Sequence, residues 1–427
     1  MSKKAPRILV MSVPSWNSRV GANTWESLLK QYDRENIASI YIRDDISDSE
    51  VCSRYFCISE NRIIKSLLNR KIKTGYEVER QDTRGEEDLE KHNQLYQKMS
   101  RKRSHLMLLA REIIWKLGKW KTDELNEFID SFKPDIILHS MDGYIHLNRI
   151  TQYAIRRSGA KAIGYIWDDN FTYKVEKGIG FKIYRFFQRI SLKKLAKKTQ
   201  VFFAITEKTK READEFFGVD CTVLTKPLNS DPEVRYDEIT KPFKMLYTGN
   251  LYIGRDNSLA KISSVLKEIN KDETKIVLDV YTNTMLDDDK KAEIENDWCV
   301  LHPPVPQKEV LELQKNADIL LFLEDIDGKY ASAARLSFST KLTDYLSAGK
   351  CIFAVGNKDT APMQYLKEND RALTADNPEL ICSVLQSIDS EILKQYAQNA
   401  VKCGKENHNQ EKICRIFNEV INDTDSK

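Results

Sequence analysis

The segment Phe338-Ser-Thr-Lys-Leu-Thr-Asp-Tyr-Leu-Ser-Ala-Gly-Lys350 has the pattern of a loop, a short helix and a glycine stop. Its first serine or threonine can cap the helix, and Gly349 suits the left-handed position after the last turn. The apolar run Cys351-Ile-Phe-Ala-Val-Gly356 then indicates a buried strand. Because a helix start leaves backbone N–H groups unpaired and Lys341 adds a positive charge there, the segment predicts a phosphate site.

Length and composition are those of an ordinary globular protein with two domains. The chain has 427 residues, of which 41% are hydrophobic and 31% charged. Its 67 Lys and Arg against 64 Asp and Glu give a net charge of only +3, which does not support a nucleic-acid partner. The eight cysteines are scattered, so we expect reduced thiols in the cytoplasm. No apolar run approaches about 18 residues, so neither a signal peptide nor a membrane anchor is expected.

Strand-like and helix-like segments alternate along the chain. The predicted strands are Arg7–Pro14, Ala38–Arg43, Asp135–Ser140, Ala162–Asp168, Val201–Thr206, Cys221–Lys226, Lys244–Gly249, Lys275–Tyr281, Ala317–Glu324 and Cys351–Val355. The predicted helices are one that begins near Asn23, Met107–Phe132, Tyr144–Arg157, Phe181–Ala196, Ser258–Asn270, Lys308–Lys315, Lys341–Ala348 and Ser390–Cys403. Such alternation is typical of βαβ units and predicts two parallel sheets. Three prolines and no periodicity mark Lys226–Pro242 as an interdomain linker.

A second cationic loop follows the first strand of the second half. The segment Leu246-Tyr-Thr-Gly-Asn-Leu-Tyr-Ile-Gly-Arg255 indicates a strand that ends at Gly249 and a loop that leads into a helix. Glycine lets the backbone approach an anion, and a guanidinium can bind two phosphate oxygens. Alone, the segment is better interpreted as a surface loop, since it has neither a G-x-G-x-x-G motif nor a P-loop. Together with Lys341, however, Arg255 predicts a diphosphate site at the ends of parallel strands.

The second half resembles the donor domain of GT-B glycosyltransferases, most closely the family 4 group of capsule, exopolysaccharide and lipopolysaccharide enzymes. Gly249-Asn-Leu-Tyr-Ile-Gly-Arg255 is similar to the family's Gly-Arg-Leu-x-x-x-Lys-Gly segment, with Asn250 in the Arg slot and Arg255 in the Lys slot. Asp344-Tyr-Leu-Ser-Ala-Gly-Lys350 is similar to the end of its Glu-x7-Glu motif, with Asp344 in the second Glu slot. That match implies hydrogen bonds from the nucleotide ribose to Asp344.

The chain departs from the family motif at its first Glu slot, which holds Leu336. It carries instead Ser339-Thr-Lys341, similar to the Ser-x-Lys variant of many capsule-type members. The departure leaves open how the hydroxyls of the donor sugar are recognised. The resemblance spans most of residues 240–425 and includes Leu301–Pro306, where the nucleobase rests in the family. It implies a donor site formed by Gly249, Asn250, Arg255, Pro304, Val305, Ser339, Thr340, Lys341 and Asp344.

The resemblance also implies the fold of the chain and its division into domains. We expect an α/β GT-B fold in which two Rossmann-like domains face a central cleft and a C-terminal helix crosses back to the N-terminal domain. The implied acceptor-binding domain covers residues 1–232, the nucleotide-sugar-binding domain residues 233–405, and the crossover helix residues 406–427.

Three residues of the first half are candidates for contact with the acceptor. Asp168 ends a predicted strand, where it can orient a hydroxyl or act as a base, but a helix N-cap or a surface carboxylate explains it equally well. Trp16 and Asn23 follow the first strand, in a loop placed like the one that closes over the reaction centre in related enzymes. Asn23 also suits the N-cap of the next helix.

Two basic regions with aromatic residues, near 98–121 and 182–198, suggest contact with the inner leaflet of a membrane. The alternative is an ordinary helix that packs its apolar stripe on the sheet and keeps its lysines in water. We expect a cytoplasmic protein that is peripheral at the cytoplasmic face of the membrane.

The expected function is the transfer of a sugar from a UDP- or GDP-linked donor to a lipid-linked glycan acceptor. The expected process is the biosynthesis of a surface polysaccharide of the bacterial type. Arg255 and Lys341 are expected to stabilise the departing diphosphate without a metal, Asp168 is the candidate base, and family analogy favours retention. No cofactor other than the nucleotide sugar is expected, and Asp287–Asp289 is better interpreted as solvated surface. Two alternatives stay open: a sugar-nucleotide epimerase on the same fold, and a catalytically silent binding or scaffold subunit.

Overall fold

The computed structural model describes residues 5–13, 16, 24–44, 47, 49–78, 104–228, 230–236, 238–328, 330–339 and 341–422. They fall into two compact units, one within Met1–Leu224 and Ile416–Lys427, the other within Thr225–Arg415. The division lies earlier than residue 232 because the chain after Leu224 already packs on the second unit. There the backbone N–H of Leu228 donates to the carbonyl of His408 over 3.0 Å.

The first unit is built on an eight-stranded sheet in the order β4-β3-β2-β1-β5-β6-β7-β8. Its strands are β1 (Ile8–Ser12), β2 (Ile37–Tyr41), β3 (Arg54–Ile58), β4 (Gly75–Glu77), β5 (Ile136–Ser140), β6 (Lys161–Ile166), β7 (Val201–Ala204) and β8 (Thr222–Val223). Neighbours are parallel, except that β4 runs antiparallel to β3. Every residue of β2 and β5 is buried, as expected for continuous apolar runs covered on both faces.

The helices of the first unit alternate with these strands. They are α1 (Thr24–Leu29), α2 (Glu60–Ser66), α3 (His105–Leu117), α4 (Asp123–Phe132), α5 (Ile145–Ser158), α6 (Ile179–Ala196) and α7 (Glu207–Phe217), with a 3-10 turn at Arg34–Asn36. The predicted single helix Met107–Phe132 is wrong, because it is divided into α3 and α4. Thr122 caps α4 by accepting a hydrogen bond from the backbone N–H of Leu125 over 3.2 Å, and this cap starts a new helix.

The second unit has a six-stranded, wholly parallel sheet in the order β11-β10-β9-β12-β13-β14. Its strands are β9 (Phe243–Thr248), β10 (Ile276–Tyr281), β11 (Cys299–His302), β12 (Ile319–Leu323), β13 (Cys351–Val355) and β14 (Leu373–Ala375). Its helices are α8 (Arg255–Ile269), α9 (Asp288–Ile294), α10 (Gln307–Asn316), α11 (Ala331–Ala334), α12 (Lys341–Ala348), α13 (Ala361–Lys367), α14 (Pro378–Ser387) and α15 (Ser390–Asn407), with a 3-10 turn at Glu368–Asp370. The predicted α12 and β13 are confirmed.

Both sheets reverse their strand order beside the first strand. In the first unit the reversal lies between β1 and β5, and in the second between β9 and β12. The second sheet has the 3-2-1-4-5-6 order of a Rossmann fold, and the first has the same order with β4 and β8 added at its edges. Ligands of such sheets bind at the carboxyl ends of the strands at the reversal point. A ligand site is therefore expected at the loops after β9 and β12.

The chain returns to the first unit in its last described helix, α16 (Gln410–Asn422). Phe417 of this helix is fully buried, with its ring centroid 6.0 Å from that of Trp25 and 6.1 Å from that of Phe203. The predicted return of a C-terminal helix to the N-terminal domain is confirmed.

Gly349→Ala is expected to lower the free energy of unfolding by about 2–4 kcal/mol, from left-handed strain and from overpacking. Gly349 follows α12 with φ of 71°, and an added Cβ would lie 1.6 Å from the backbone carbonyl oxygen of Glu233. Gly159→Ala is the control, since Gly159 has a similar φ of 68° but an added Cβ would meet nothing within 4 Å. Its cost should be about 1 kcal/mol in urea unfolding. Equal losses of stability at the two positions would contradict the expected clash with Glu233.

Candidate functional site

The loop after β9 and the start of α12 lie side by side in the second unit. Gly249 directly follows β9 and has φ of 145°, and an added Cβ would lie 1.8 Å from Nζ of Lys341. Only a glycine therefore lets the lysine occupy this position. The same Nζ lies 4.9 Å from the ring centroid of Tyr247. The two segments that the sequence pairs as a diphosphate site are thus in direct contact.

Arg255 is held by the loop after β12. Its Nε donates to the carbonyl of Leu323 over 2.9 Å, and its Nη2 donates to both carboxylate oxygens of Glu324 over 2.8 and 2.9 Å. Its Nη1 donates to Oδ1 of Asn250 over 3.1 Å. The Glu324 side chain is only 7% exposed. The guanidinium is therefore fixed at the reversal point of the sheet by a carboxylate that the motif analysis did not identify.

The charge state of Lys341 depends on this arrangement. Burial lowers the pKa of Lys341 to about 8, and the positive charge of Arg255 acts in the same direction. The carboxylates of Glu324 and Asp344 oppose the shift. Since its pKa is about 8, Lys341 is mostly protonated at neutral pH and is half deprotonated near pH 8.

A small pocket lies between these groups. Its lining residues come from β9, the start of α8, β12 with the residue after it, and α12 with the loop before it; they are Tyr247, Arg255, Leu321, Phe322, Leu323, Glu324, Ser339, Lys341 and Tyr345. Two cations and one carboxylate leave an excess of one positive charge around the pocket. Such a site suits an anion with several oxygens, which the guanidinium and ammonium can bind together.

Asp344 lies one turn after Lys341 on α12 and is paired with a buried lysine. Its Oδ1 is 3.8 Å from Nζ of Lys226, whose side chain is 4% exposed. Lys226 belongs to the stretch that enters the second unit just after Leu224. The pair fixes the carboxylate that the resemblance assigns to the nucleotide ribose.

Pro304 and Val305 lie in the loop after β11, at the edge of the same sheet. Two strand spacings of about 4.8 Å, roughly 10 Å in all, separate β11 from β9, the strand that precedes Arg255. All these loops follow parallel strands and share one edge of the sheet. Thr340, also assigned to the donor, lies outside the described residues.

A pair of carboxylates marks the first unit. Asp168 is half-buried after β6, and Asp142 follows β5, which flanks the reversal point. The hydroxyl of Ser140 and the indole of Trp167 donate hydrogen bonds to Asp142. Burial raises the pKa of Asp142 to about 6, and the negative charge of Asp168 adds to the rise. The two carboxyl groups are therefore close enough to influence each other.

The other two candidates for contact with the acceptor are Trp16 and Asn23. Trp16 is 4% exposed, and its carbonyl accepts hydrogen bonds from the Ser47 hydroxyl over 2.6 Å and from the Ser49 backbone over 3.3 Å. These contacts hold Trp16 within the first unit. Asn23 lies outside the described residues.

In the described part of the chain, no group of three or more His, Cys, Asp or Glu residues is placed to hold a metal ion. Asp287 of the acidic run caps α9 by accepting a hydrogen bond from the backbone N–H of Lys290 over 2.9 Å. None of the described helices is both long enough and apolar enough to cross a membrane.

The sequence analysis missed Glu324, Lys226 and Asp142. Glu324 and Asp142 each come just after a strand that flanks a reversal point, and this position is the signal that could have found them. Using this signal requires the order of the strands in the sheet, which the alternation of strands and helices along the sequence does not reveal. Lys226 lies in the predicted linker, and no local sequence pattern there indicates that its side chain is buried.

This chain is similar to known proteins in structure and not in sequence. The sequence matches no family model and no curated protein sequence. The lipopolysaccharide outer core galactosyltransferase WaaB superimposes with a TM-score of 0.56 at 13% identity, over 97% of this chain and 98% of WaaB. TarM superimposes with a TM-score of 0.60 at 8% identity, over 99% of this chain and 100% of TarM. This chain has the GT-B fold.

The GT-B match is partial for another solved structure, the pneumococcal O-GlcNAc transferase GtfA in complex with UDP and GlcNAc. The TM-score is 0.50 at 11% identity, over 70% of this chain. This chain spans 59% of the length of GtfA. At these identities the likeness establishes the GT-B fold.

Proposed function

We propose that this GT-B protein is a family 4-like glycosyltransferase that moves a sugar from a nucleotide-diphosphate donor to a glycan acceptor. The observation that carries the proposal is the meeting of Arg255 and Lys341 in one pocket, at the reversal point of a Rossmann-like sheet. Two fixed cations in a partly buried site match the charge of a diphosphate. They support a donor-binding role for the second unit.

The proposed chemistry breaks the bond between the anomeric carbon and the terminal phosphate oxygen of the donor. A new bond forms between that carbon and an acceptor hydroxyl, and negative charge develops on the departing diphosphate. Lys341, protonated at neutral pH, and Arg255, oriented by Glu324, stabilise this charge as it grows. Asp168 is proposed to orient the acceptor hydroxyl and take up its proton, with Asp142 as its neighbour.

The resemblance to family 4 enzymes supports finer assignments within the same site. We propose that Asp344 binds the ribose and that Pro304 and Val305 contact the base. GtfA is in complex with UDP, and this supports UDP over GDP as the first donor to test. The resemblance to capsule-type enzymes supports a lipid-linked acceptor in surface polysaccharide biosynthesis at the cytoplasmic face of a membrane, with retention of configuration.

One observation favours the silent-homologue alternative. Leu336, in the first Glu slot of the family motif, is fully buried and serves the hydrophobic core. The position therefore offers no carboxylate to the hydroxyls of a donor sugar. A silent homologue would bind the nucleotide without turning over a nucleotide sugar.

Thermal unfolding with UDP, GDP, ADP and CMP tests the proposal. A ligand that binds only the folded protein stabilises it by about 2.7 kcal/mol at a concentration 100 times its Kd. We expect UDP or GDP to raise the melting temperature, and no shift from any nucleotide would contradict the donor site. Nucleotide release from the matching sugar donor should then require a glycan acceptor. Epimerisation without acceptor, or binding without turnover, would favour the two alternatives respectively.

The affinity for the nucleoside diphosphate is expected to fall as pH rises above about 8, because Lys341 then loses its proton. Each further pH unit removes about nine-tenths of the protonated form, which binds the anion more strongly. From about pH 7 to 8 the affinity should fall by no more than about twofold, since the protonated fraction of Lys341 falls only from about nine-tenths to one-half and phosphate groups with a second pKa of about 6 are already ionised. Calorimetric titration with the nucleoside diphosphate at several pH values measures this dependence of the affinity on pH. Lys341→Arg should flatten the profile, and an unchanged profile in that variant would assign the pH dependence to another group.

A further inference from the structure

Helix α6 has apolar side chains on two opposite faces. One face is buried in the first unit and includes Phe181, Tyr184, Leu192 and Leu195. The other face carries large apolar side chains in the open: Ile179 is 79% exposed, Ile183 43%, Phe186 53%, Phe187 47% and Ile190 39%. These positions repeat with helical spacing. A surface helix normally has a single apolar stripe, so the second one is not explained by packing within the described part of the chain.

Helix α3 packs beside α6 and shows the same property. The His105 ring lies 5.5 Å from the ring of Phe181 and 6.2 Å from that of Tyr184, measured between centroids. The exposed apolar side chains of α3 are Leu106 at 70%, Met107 at 49%, Ile113 at 57% and Leu117 at 56%. We call the exposed apolar residues of the two helices the α3–α6 surface.

The charge around this surface is positive. The two helices contain a single acidic residue, Glu112, which is 7% exposed and pairs with His146 over 2.8 Å. On α6 the exposed stripe continues along the same face into Lys193 and Lys194, which are exposed. Lys116 is exposed on α3. An acidic neighbour at one end is Glu176, 53% exposed, whose carboxylate lies 3.4 Å from Nε2 of His105 at the start of α3. With a net charge of only +3 for the whole chain, the excess of exposed lysines over acidic residues on the two helices is a local property of this surface.

A second copy of the chain is a poor occupant. A two-fold contact would bring the same patch from both subunits together and place lysines against lysines. An anionic lipid surface suits both features, because apolar side chains enter the acyl boundary while lysines meet the headgroup phosphates.

We propose that the α3–α6 surface docks on an anionic lipid bilayer. Phe186 and Phe187 enter the boundary between headgroups and acyl chains, and Lys193 and Lys194 bind headgroup phosphates. The docking gives the proposed transfer reaction access to a lipid-linked acceptor, and in this respect it rests on the proposed function. Lipid binding itself depends only on the first unit and can be measured without any donor.

Sedimentation of the full chain with phosphatidylcholine vesicles, with and without phosphatidylglycerol, tests the proposal. We expect binding to the anionic vesicles and at least about tenfold weaker binding to the neutral ones. The double variant Phe186→Ser, Phe187→Ser should lower the partition coefficient at least about tenfold. The charge reversal Lys193→Glu, Lys194→Glu should lower it by at least about fivefold per residue. Leu380→Ser in the second unit, 41% exposed before substitution, is the control and should bind as wild type.

Failure of the wild-type chain to bind anionic vesicles would overturn the proposal, and so would unchanged binding by both double variants. A wild-type dimer that the Phe variant abolishes would identify the surface as a self-interface instead. The melting temperature of each variant and its shift with UDP or GDP verify the fold. Vesicle binding without any nucleotide shift would leave the docking surface intact and overturn only the donor assignment.

Discussion

Lys341→Met is expected to slow sugar transfer by about 100- to 1,000-fold, the usual effect of removing one group that stabilises developing negative charge. Methionine keeps an unbranched apolar stem beside Tyr247 and Gly249 but cannot meet the diphosphate with a charge. The free energy of unfolding should change by less than about 1 kcal/mol, because burial already disfavours the ammonium. Nucleotide release in the presence of acceptor measures the rate, and urea unfolding measures the stability.

Lys341→Arg is the matched control for this variant. It keeps the positive charge but presents a planar guanidinium beside Gly249, so we expect an intermediate rate. A Lys341→Met protein that unfolds like wild type and transfers sugar at the wild-type rate would contradict the role of Lys341.

Arg255→Met is expected to lower the free energy of unfolding by about 3–5 kcal/mol, the cost of leaving a buried charge without its partner. The uncompensated group is the carboxylate of Glu324, 7% exposed and bonded through both oxygens to the guanidinium. Transfer should also fall by about 100-fold or more, because the diphosphate loses its second cation. Urea unfolding gives the first quantity and steady-state kinetics the second.

The double variant Arg255→Met, Glu324→Gln separates the two effects. Removing the buried charge should restore most of the lost stability, whereas transfer should stay low because no guanidinium is regained. Glu324→Gln alone should keep Arg255 in place through Leu323 and Asn250 with a smaller loss of activity. If the double variant is as unstable as Arg255→Met, the ion pair is not the source of the instability.

The sequence predicted the elements near the site well because each has a strong local signal. The helix Lys341–Ala348, the strand Cys351–Val355 and the left-handed Gly349 agree with the structure. Local chemistry determines such features, since a cap, an apolar stripe and a glycine act within a few residues. Contact between Gly249 and Lys341 could be anticipated only by assuming that their strands end at one edge of a sheet.

The features that the sequence did not predict depend on distant residues. Glu324 becomes part of the site because β12 pairs with β9, and no local pattern specifies that pairing. The short strands Gly75–Glu77 and Leu373–Ala375 have too few residues for a periodic signal. On α6 the basic pattern was recognised, but only the structure separates a buried apolar face from an exposed one.

The return of α16 makes the first unit discontinuous in sequence. Phe417, contributed from the far end of the chain, completes an aromatic cluster with Trp25, Tyr32 and Phe203. A chain made from its N-terminus therefore holds this cluster incomplete until the second unit has emerged. The two units can begin to fold in order of synthesis, yet the one that is made first acquires its last core side chain after the other is finished.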